Sequence, residues 1–469
     1  MVFDTPEFFV FFLVTLGLYY ILNHKWQNAL LVASSYFFYG WFDWRFCGLL
    51  AFSTVLDWYC GLKIPKPGGR KWLYVSVIGQ LSLLGFFKYF NFFEENVQRV
   101  FHHIGFRADW WTLKVILPLG ISFYTFQTLS YTLDISRGKL KPVRSLMDFA
   151  VFVSFWPHLV AGPILRASWL LPQVLEKRRV NTRDWAEGTY FIIIGLVKKV
   201  AVADVIANWI EAPVHDPAHY SSWTLLLVAY MFAVRIYCDF AGYTDIARGV
   251  SLFMGFRLQE NFLWPYFSVG ITEFWRRWHI SLAGWLRDYL YIPLGGSRGG
   301  TFKTYRNLMI TFTLCGLWHK ASWNFIGWGF INGIFLCIGK SMARPYQRLI
   351  DWSERINFKP ALMLILGLLT FQMMALTDIL AIIPGFHQTA AYYEQLLKFT
   401  YAPDPDRLRL TIYALAVMLL IDVPEALHGR HEYLIDRPVI VRGAVYAACI
   451  ALLVLTWTKD YQPFFYFQF

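Results

Sequence analysis

Residues Ile271–Lys320 read ITEFWRRWHISLAGWLRDYLYIPLGGSRGGTFKTYRNLMITFTLCGLWHK. This stretch combines arginines, tryptophans and two histidines, His279 and His319, inside a chain that is otherwise lipid-compatible. The contrast decides the fold class. Of 469 residues, 57% are hydrophobic, 19% aromatic and only 16% charged, whereas globular domains run near one quarter charged. A membrane-spanning helix needs roughly 20 predominantly apolar residues, and such windows recur from Phe8 onward. A hydrophobic soluble α/β chain would show short apolar runs instead. The expectation is an all-α polytopic membrane protein.

Working outward, the net charge of +12 does not point to nucleic acid. The basic residues cluster in short links such as LKIPKPGGRK (Leu62–Lys71), RGKLKPVR (Arg137–Arg144) and EKRRVNTR (Glu176–Arg183), where they orient a membrane protein with those links in the cytoplasm. The six cysteines stand singly, with no CxxC pair and no His/Cys spacing for a metal. Spans are predicted at Phe8–Leu22, Asn28–Phe42, Arg45–Leu62, Trp72–Phe93, Leu113–Leu133, Ala186–Ile210, Thr224–Ala241, Leu308–Ala321, Trp323–Cys337, Pro360–Ile379, Leu410–Leu427 and Val439–Thr456. The first is read as retained, since no basic n-region or cleavage pattern precedes it. Phe149–Pro163 is short and broken by Pro157, Gly162 and Pro163, with basic links on both sides. It reads as a re-entrant hairpin covered by protein. The count is about ten to twelve crossings, with both termini outside. Phe101–Trp111 and Pro384–Arg409 are outer loops, the latter too small to fold alone. Residues 1–469 read as one integral membrane domain with 271–320 as its central segment.

From Glu273 to Tyr291 the pattern predicts one amphipathic helix. Trp275, Trp278, Leu282, Trp285 and Tyr289 recur at three- and four-residue steps. Glu273 and Arg277 form an i,i+4 pair, and Arg276 and Arg287 share another face. Such a helix lies at an interface with its tryptophans at headgroup depth. Gly295, Gly296, Gly299 and Gly300 follow; with Arg298 and Lys303 they read as a turn that has the parts to receive phosphate, without the spacing of a Walker loop. His319, in or beside an apolar run, is the sharper signal. Ionisable groups inside a membrane are costly and point to function, and a neutral imidazole can take a proton from a hydroxyl and return it to a leaving group. The bland reading of His319, and of His279, is a histidine satisfied within a bundle. Asp239, Tyr243, Thr244 and Asp245 in CDFAGYTD, placed at the end of a span, together with Glu260, Asn261, Gln127, Tyr131, Asn324 and Asn332, read singly as interhelical hydrogen-bonding groups and as a set imply a polar cavity. Gly242 permits close helix packing.

Several segments together resemble the membrane-bound O-acyltransferase family. They are LLVASSYFFYGWFDWRF (Leu30–Phe46), LGFFKYFNFF (Leu84–Phe93), LPLGISFYTFQTLSYTLDISRG (Leu117–Gly138), FWPHLVAGPILR (Phe155–Arg166), DFAGYTDIARG (Asp239–Gly249), NFLWPYFSVGITEFWRRWHISLAGWLRDYLYIPLGG (Asn261–Gly296) and GLWH (Gly316–His319). The likeness is strongest to the bacterial branch of alginate O-acetylation membrane proteins, which the closing FYFQF also fits, with the D-alanyl transfer proteins of teichoic acid modification as relatives. It implies a bundle with re-entrant and interfacial helices around a central funnel, in the bacterial cytoplasmic (inner) membrane. The family histidine falls on His319, which the resemblance makes the base, and the second family histidine falls on His279, an assistant. Two departures stand out: Lys320 follows His319 where a small residue is common, and LTFQMMA (Leu369–Ala375) replaces an aromatic–arginine motif.

The resemblance implies acetyl transfer from a cytoplasmic donor, acetyl-CoA, with no tightly bound cofactor and no metal. The acceptor is a periplasmic acetyltransferase partner or an exopolysaccharide such as alginate, tended by polysaccharide biosynthesis machinery. Arg276, Arg277, Arg287 and Arg298 are the candidate donor-phosphate contacts, and Asn332, a backbone N–H or an indole the candidate oxyanion donor. Alternatives are D-alanyl transfer to teichoic acid from an acyl carrier protein, and peptidoglycan or cellulose O-acetylation. A different class, a transporter, would use the same buried polar groups.

Overall fold

The computed structural model describes residues 1–105, 114–457 and 462–465, so most of the loop expected at Phe101–Trp111 lies outside the described residues. Among the described residues every regular element is helical. Five helices are long and apolar enough to cross a membrane, or up to six if a pair bent by 59°, Trp323–Ser341 with Ala343–Arg355, is one span. The other helices are shorter or more polar. The chain forms two compact units: Met1–Gly188 with Ala247–Gln259, and Thr189–Ile246 with Glu260–Phe469.

In the first unit the apolar runs at the start of the chain become helices Pro6–Ile21, His24–Asp43 and Cys47–Lys63. Arg70–His103 is one long element bent through a π-helical turn at Gly85–Tyr89. The span expected at Leu113–Leu133 begins as helix only at Ile121, after Gly120 in the left-handed region (φ 75°), and runs to Ser136. Thr132 of this helix shares a hydrogen bond of 2.9 Å with Ser76, and nearby Gln80 donates to Asp57 of helix Cys47–Lys63 at 3.0 Å. Gly61 is required beneath Tyr131, whose ring a Cβ there would approach to 2.4 Å. The broken element at 149–163 is two short helices, Leu146–Ser154 and Trp156–Leu159, with Pro157 in the first turn of the second. Residues 149–165 are all buried, the covering that such a segment requires.

The second unit is built around residues 222–246 of helix Ser222–Leu252. Of its most apolar stretch 89% is buried, against none for Val439–Thr456, which therefore presents its side chains outward. This helix continues eleven residues past the expected end at Ala241, so CDFAGYTD lies within it and not at its terminus. Long-range partners explain the extension. Residues Val197–Asp204 form a π-helical stretch whose two lysines reach the helix. Lys198 Nζ lies 2.8 Å from Asp245 and 4.0 Å from Asp422. Lys199 Nζ lies 2.8 Å from Asp204 and 2.9 Å from Asp239, and donates to the Gln462 carbonyl at 3.1 Å. Helix approach is set by Gly195 and Gly242; a Cβ on either would sit 2.6 Å from the other's carbonyl oxygen.

Removing one partner of a buried ion pair leaves an uncompensated charge. Lys198→Met is accordingly expected to cost about 3–5 kcal/mol, read as a lowered thermal unfolding midpoint in detergent. An unchanged midpoint would show that Asp245 and Asp422 do not need the cation.

Beyond the site, the outer loop at Pro384–Arg409 is not irregular: it carries helix Phe386–Leu396, and helix Pro405–His428 starts within it. Asp404 caps the latter by accepting from the Arg407 backbone N–H at 3.2 Å. An amphipathic helix at Ala343–Arg355 was not anticipated.

Candidate active site

The predicted helix Glu273–Tyr291 is broken. Helix Ile271–Arg277 stops at Trp278, and a second helix, Ile280–Leu286, restarts one residue later. A π-helical turn at Arg287–Tyr291 completes the segment. His279 therefore stands at a break and not inside a helix, in the left-handed region with φ 44° and ψ 53°. Such a conformation costs a non-glycine residue about 1–3 kcal/mol and persists only where its surroundings over-determine it.

The determinant is a strap, residues 261–264, running beside the break. The Leu263 N–H donates to the Arg277 carbonyl and the Ile280 N–H to the Asn261 carbonyl, both at 2.9 Å. Asn261 Oδ1 accepts from Ser281 N–H at 3.3 Å and Ser281 Oγ at 2.8 Å, and lies 3.1 Å from His279 Nδ1. A backbone N–H can only donate, so that Asn261 atom is the oxygen and His279 Nδ1 carries a hydrogen toward it. In the neutral ring, Nε2 is then the basic nitrogen. Phe240 packs edge-on to the imidazole at 4.7 Å.

His319 arrives from the opposite side. Helix Thr301–His319 and helix Trp323–Ser341 form a hairpin joined by Lys320–Ser322. Ser322 caps the second helix, accepting from the Phe325 N–H at 3.3 Å. The pair touches backbone to backbone: a Cβ at Gly316 would lie 2.0 Å from the Phe325 carbonyl oxygen, and one at Gly329 2.2 Å from that of Phe312. Gly316 is thus what seats the last turn of the His319 helix. The His319 ring is buried, 5.0 Å from Trp318 and 5.5 Å edge-on from Trp328. The two histidine rings stand 6.3 Å apart, centroid to centroid.

Around them, Trp328 is fixed by its indole N–H donating to the buried Asp378 carboxylate at 3.1 Å, and Trp275 packs 5.7 Å from Trp328. Trp275, Trp278 and Trp285 are buried within the unit, so this face packs against protein. Asn332, one turn beyond Trp328, is buried and uses its amide to donate to the Trp328 carbonyl at 2.9 Å. That commits one of its N–H groups within the helix and weakens it as an oxyanion donor. Asn324 donates to the Ile383 carbonyl at 2.7 Å and to Thr389, a helix-joining role.

The arginines do not gather at the histidines. Arg277 pairs with Glu273 at 2.5 Å and Arg287 with Asp288 at 2.7 Å, while Arg276 and Arg298 are exposed. The glycine-rich turn is organised by a residue that sequence reading passed over, Asn307, which donates to the Leu294 and Gly296 carbonyls at 3.1 and 2.9 Å. Lys198, Lys199, Asp378, Glu425 and His431 were also not singled out. The two lysines carried a signal, since paired cations within an apolar run are expensive in a membrane. Among the described residues no group of three or more His, Cys, Asp or Glu side chains is arranged to hold a metal ion.

An all-α bundle with several long apolar helices defines a multi-pass membrane protein. The chain belongs to the membrane-bound O-acyltransferase family, whose model matches residues 110–377. It is therefore a membrane-bound acyl-transferring enzyme. Among its relatives, the probable alginate O-acetylase AlgI of Pseudomonas putida is 36% identical across the full length of both chains. That of Azotobacter vinelandii is 44% identical over 73% of this chain and 69% of its own. A peptidoglycan O-acetyltransferase of Helicobacter pylori is 35% identical over 76% of this chain and 75% of its own.

Proposed function

We propose that this enzyme takes an acetyl group from cytoplasmic acetyl-CoA and delivers it across a bacterial cytoplasmic membrane to a hydroxyl acceptor on the periplasmic side. The acceptor is a partner acetyltransferase or an exopolysaccharide of the alginate class. The observation that carries the reading is the buried His279–His319 pair, 6.3 Å between ring centroids, at the end of a helix seated by Gly316. Relatives named for O-acetylation of alginate and of peptidoglycan support acetyl as the group moved.

In this reading His319 accepts the proton of the acceptor hydroxyl as its oxygen attacks the thioester carbonyl. The tetrahedral intermediate collapses, the C–S bond breaks, and the departing thiolate takes the proton back from the imidazolium. No net proton is consumed. The negative charge on the intermediate needs a preorganised donor. The Trp275 indole N–H is buried and has no acceptor among the described residues, so it suits that task. His279, held by Asn261, orients the acceptor from the other side. Lys320 adds a cation next to the base.

The test uses the purified protein in sealed vesicles supplied with radiolabelled acetyl-CoA, with and without a soluble acetyltransferase partner and polymer. Label reaching the hydroxyl acceptor is the expected result. Transfer that occurs only when a D-alanyl-loaded carrier protein is the donor would overturn the acetyl assignment. Solute flux without acyl transfer would overturn the acyl chemistry.

A further inference from the structure

The strap that holds His279 is itself held by a pair of residues from far along the chain. Helix Pro405–His428 ends in a turn with Gly429 left-handed (φ 68°), and the Arg430 N–H returns to the Glu425 carbonyl at 3.2 Å. This six-to-one closure folds the chain back on the helix end, so that His431 faces Glu425. Their contact is short, 2.6 Å from Nδ1 to Oε2, and both are buried. The other ring nitrogen, Nε2, lies 3.0 Å from the carbonyl oxygen of Phe262, 169 residues earlier. A carbonyl oxygen only accepts, so Nε2 carries a hydrogen, and a proton also lies between Nδ1 and the carboxylate. Glu425 completes the grip: its Oε1 accepts from the Tyr190 hydroxyl at 2.7 Å and its Oε2 from the Trp264 indole N–H at 2.9 Å.

Phe262 and Trp264 are strap residues. Trp264, like His279, has a positive φ, 46°, and it precedes Pro265, which further restricts it. Two residues in left-handed geometry, His279 and Trp264, thus sit on either side of the Asn261–Leu263 backbone pairing. From the Glu425 end, one residue is pinned by its indole and the strap carbonyl by His431. From the Asn261 end, the strap pins His279.

We propose that Glu425 and His431 are positioning residues for the reaction centre, holding residues 261–264 so that Asn261 keeps His279 in its left-handed seat facing His319. They act through the strap and do not touch substrate. The proposal rests on the reading of the two histidines as the site of transfer.

Two substitutions at one position separate the roles. Asn in place of His431 keeps an amide near the Nδ1 position, beside Glu425, but cannot reach Phe262. Gln keeps an N–H near the Nε2 position and with it the strap bond. Full-length His431→Asn, His431→Gln and wild type are compared by hydrogen exchange of the Leu263 and Ile280 amides and by acetyl-transfer kinetics. His431→Asn is expected to speed exchange of those two amides and lower kcat by roughly 10- to 100-fold, the penalty of a slightly misplaced group, with KM for acetyl-CoA unchanged. His431→Gln also gives up the ion pair with Glu425, yet is expected to keep both closer to wild type than His431→Asn does. Equal behaviour of the two variants would overturn the proposal, whether both match wild type or both loosen the whole unit. So would strap exchange that rises without loss of kcat. His319→Ala serves as the separate control: if it keeps turnover, the base assignment falls, while the exchange comparison still decides whether His431 holds the strap.

Discussion

Gly316→Val is expected to remove both folded protein and activity. The added Cβ alone would sit 2.0 Å from the Phe325 carbonyl oxygen, 2.9 Å from its carbon and 3.1 Å from the Gly329 nitrogen. All three are backbone atoms, so no side chain can swing away, and helices Thr301–His319 and Trp323–Ser341 must part. Overpacking of a tight core costs typically about 1–3 kcal/mol and more where the obstacle is rigid. The separation would also carry His319, one turn further on, out of register with Trp328 and His279. Gly17→Ala is the control, because nothing lies within 4 Å of a Cβ there. It is expected to be neutral or to stabilise helix Pro6–Ile21 by up to about 1 kcal/mol. Detergent-solubilised yield and thermal unfolding report both. A Gly316→Val protein with the wild-type midpoint would mean that the helical hairpin does not depend on that contact.

The glycine shows how far the sequence could be read. GLWH marked His319, and the resemblance that carried it also marked His279; in the structure the two ring centroids lie 6.3 Å apart. Val439–Thr456 was legible to the residue, because its run is strongly apolar and Pro438 marks its start. The break at Trp278–His279 was not legible. The tryptophan and leucine spacing continues through it, and a single reversal of φ leaves no trace in a three-and-four-residue pattern. CDFAGYTD looked like a span end because charged groups in lipid are costly; the cations that pair with Asp245 and Asp239, Lys198 and Lys199, come from another helix. The Glu425–His431–Phe262 connection spans 169 residues, beyond any local periodicity. The arginines around the glycine turn illustrate the converse. Of the candidate donor contacts, Arg277 and Arg287 are engaged by carboxylates close to them in the chain.

His319→Ala is expected to reduce acyl transfer by about 10²- to 10⁴-fold, the usual contribution of a positioned general base. The fold should survive. His319 is the last residue of its helix, and the hairpin is held by Gly316, Gly329 and the Ser322 cap, none of which involves the imidazole. The effect should lie in kcat, because the proton moves only as the acceptor oxygen attacks, and an interaction made in the transition state alone lowers kcat without raising KM. His279→Ala should fall less steeply. Its ring is tied through Nδ1 to Asn261, in keeping with an orienting role, and the alanine Cβ keeps the left-handed strain of the position. The decisive measurement is the initial rate of radiolabelled acetyl transfer from acetyl-CoA to a hydroxyl acceptor in sealed vesicles, comparing wild type with His319→Ala at matched folded protein. A loss of about a hundredfold or more, with donor KM unchanged, is the predicted result; transfer at the wild-type rate would contradict His319 as the base.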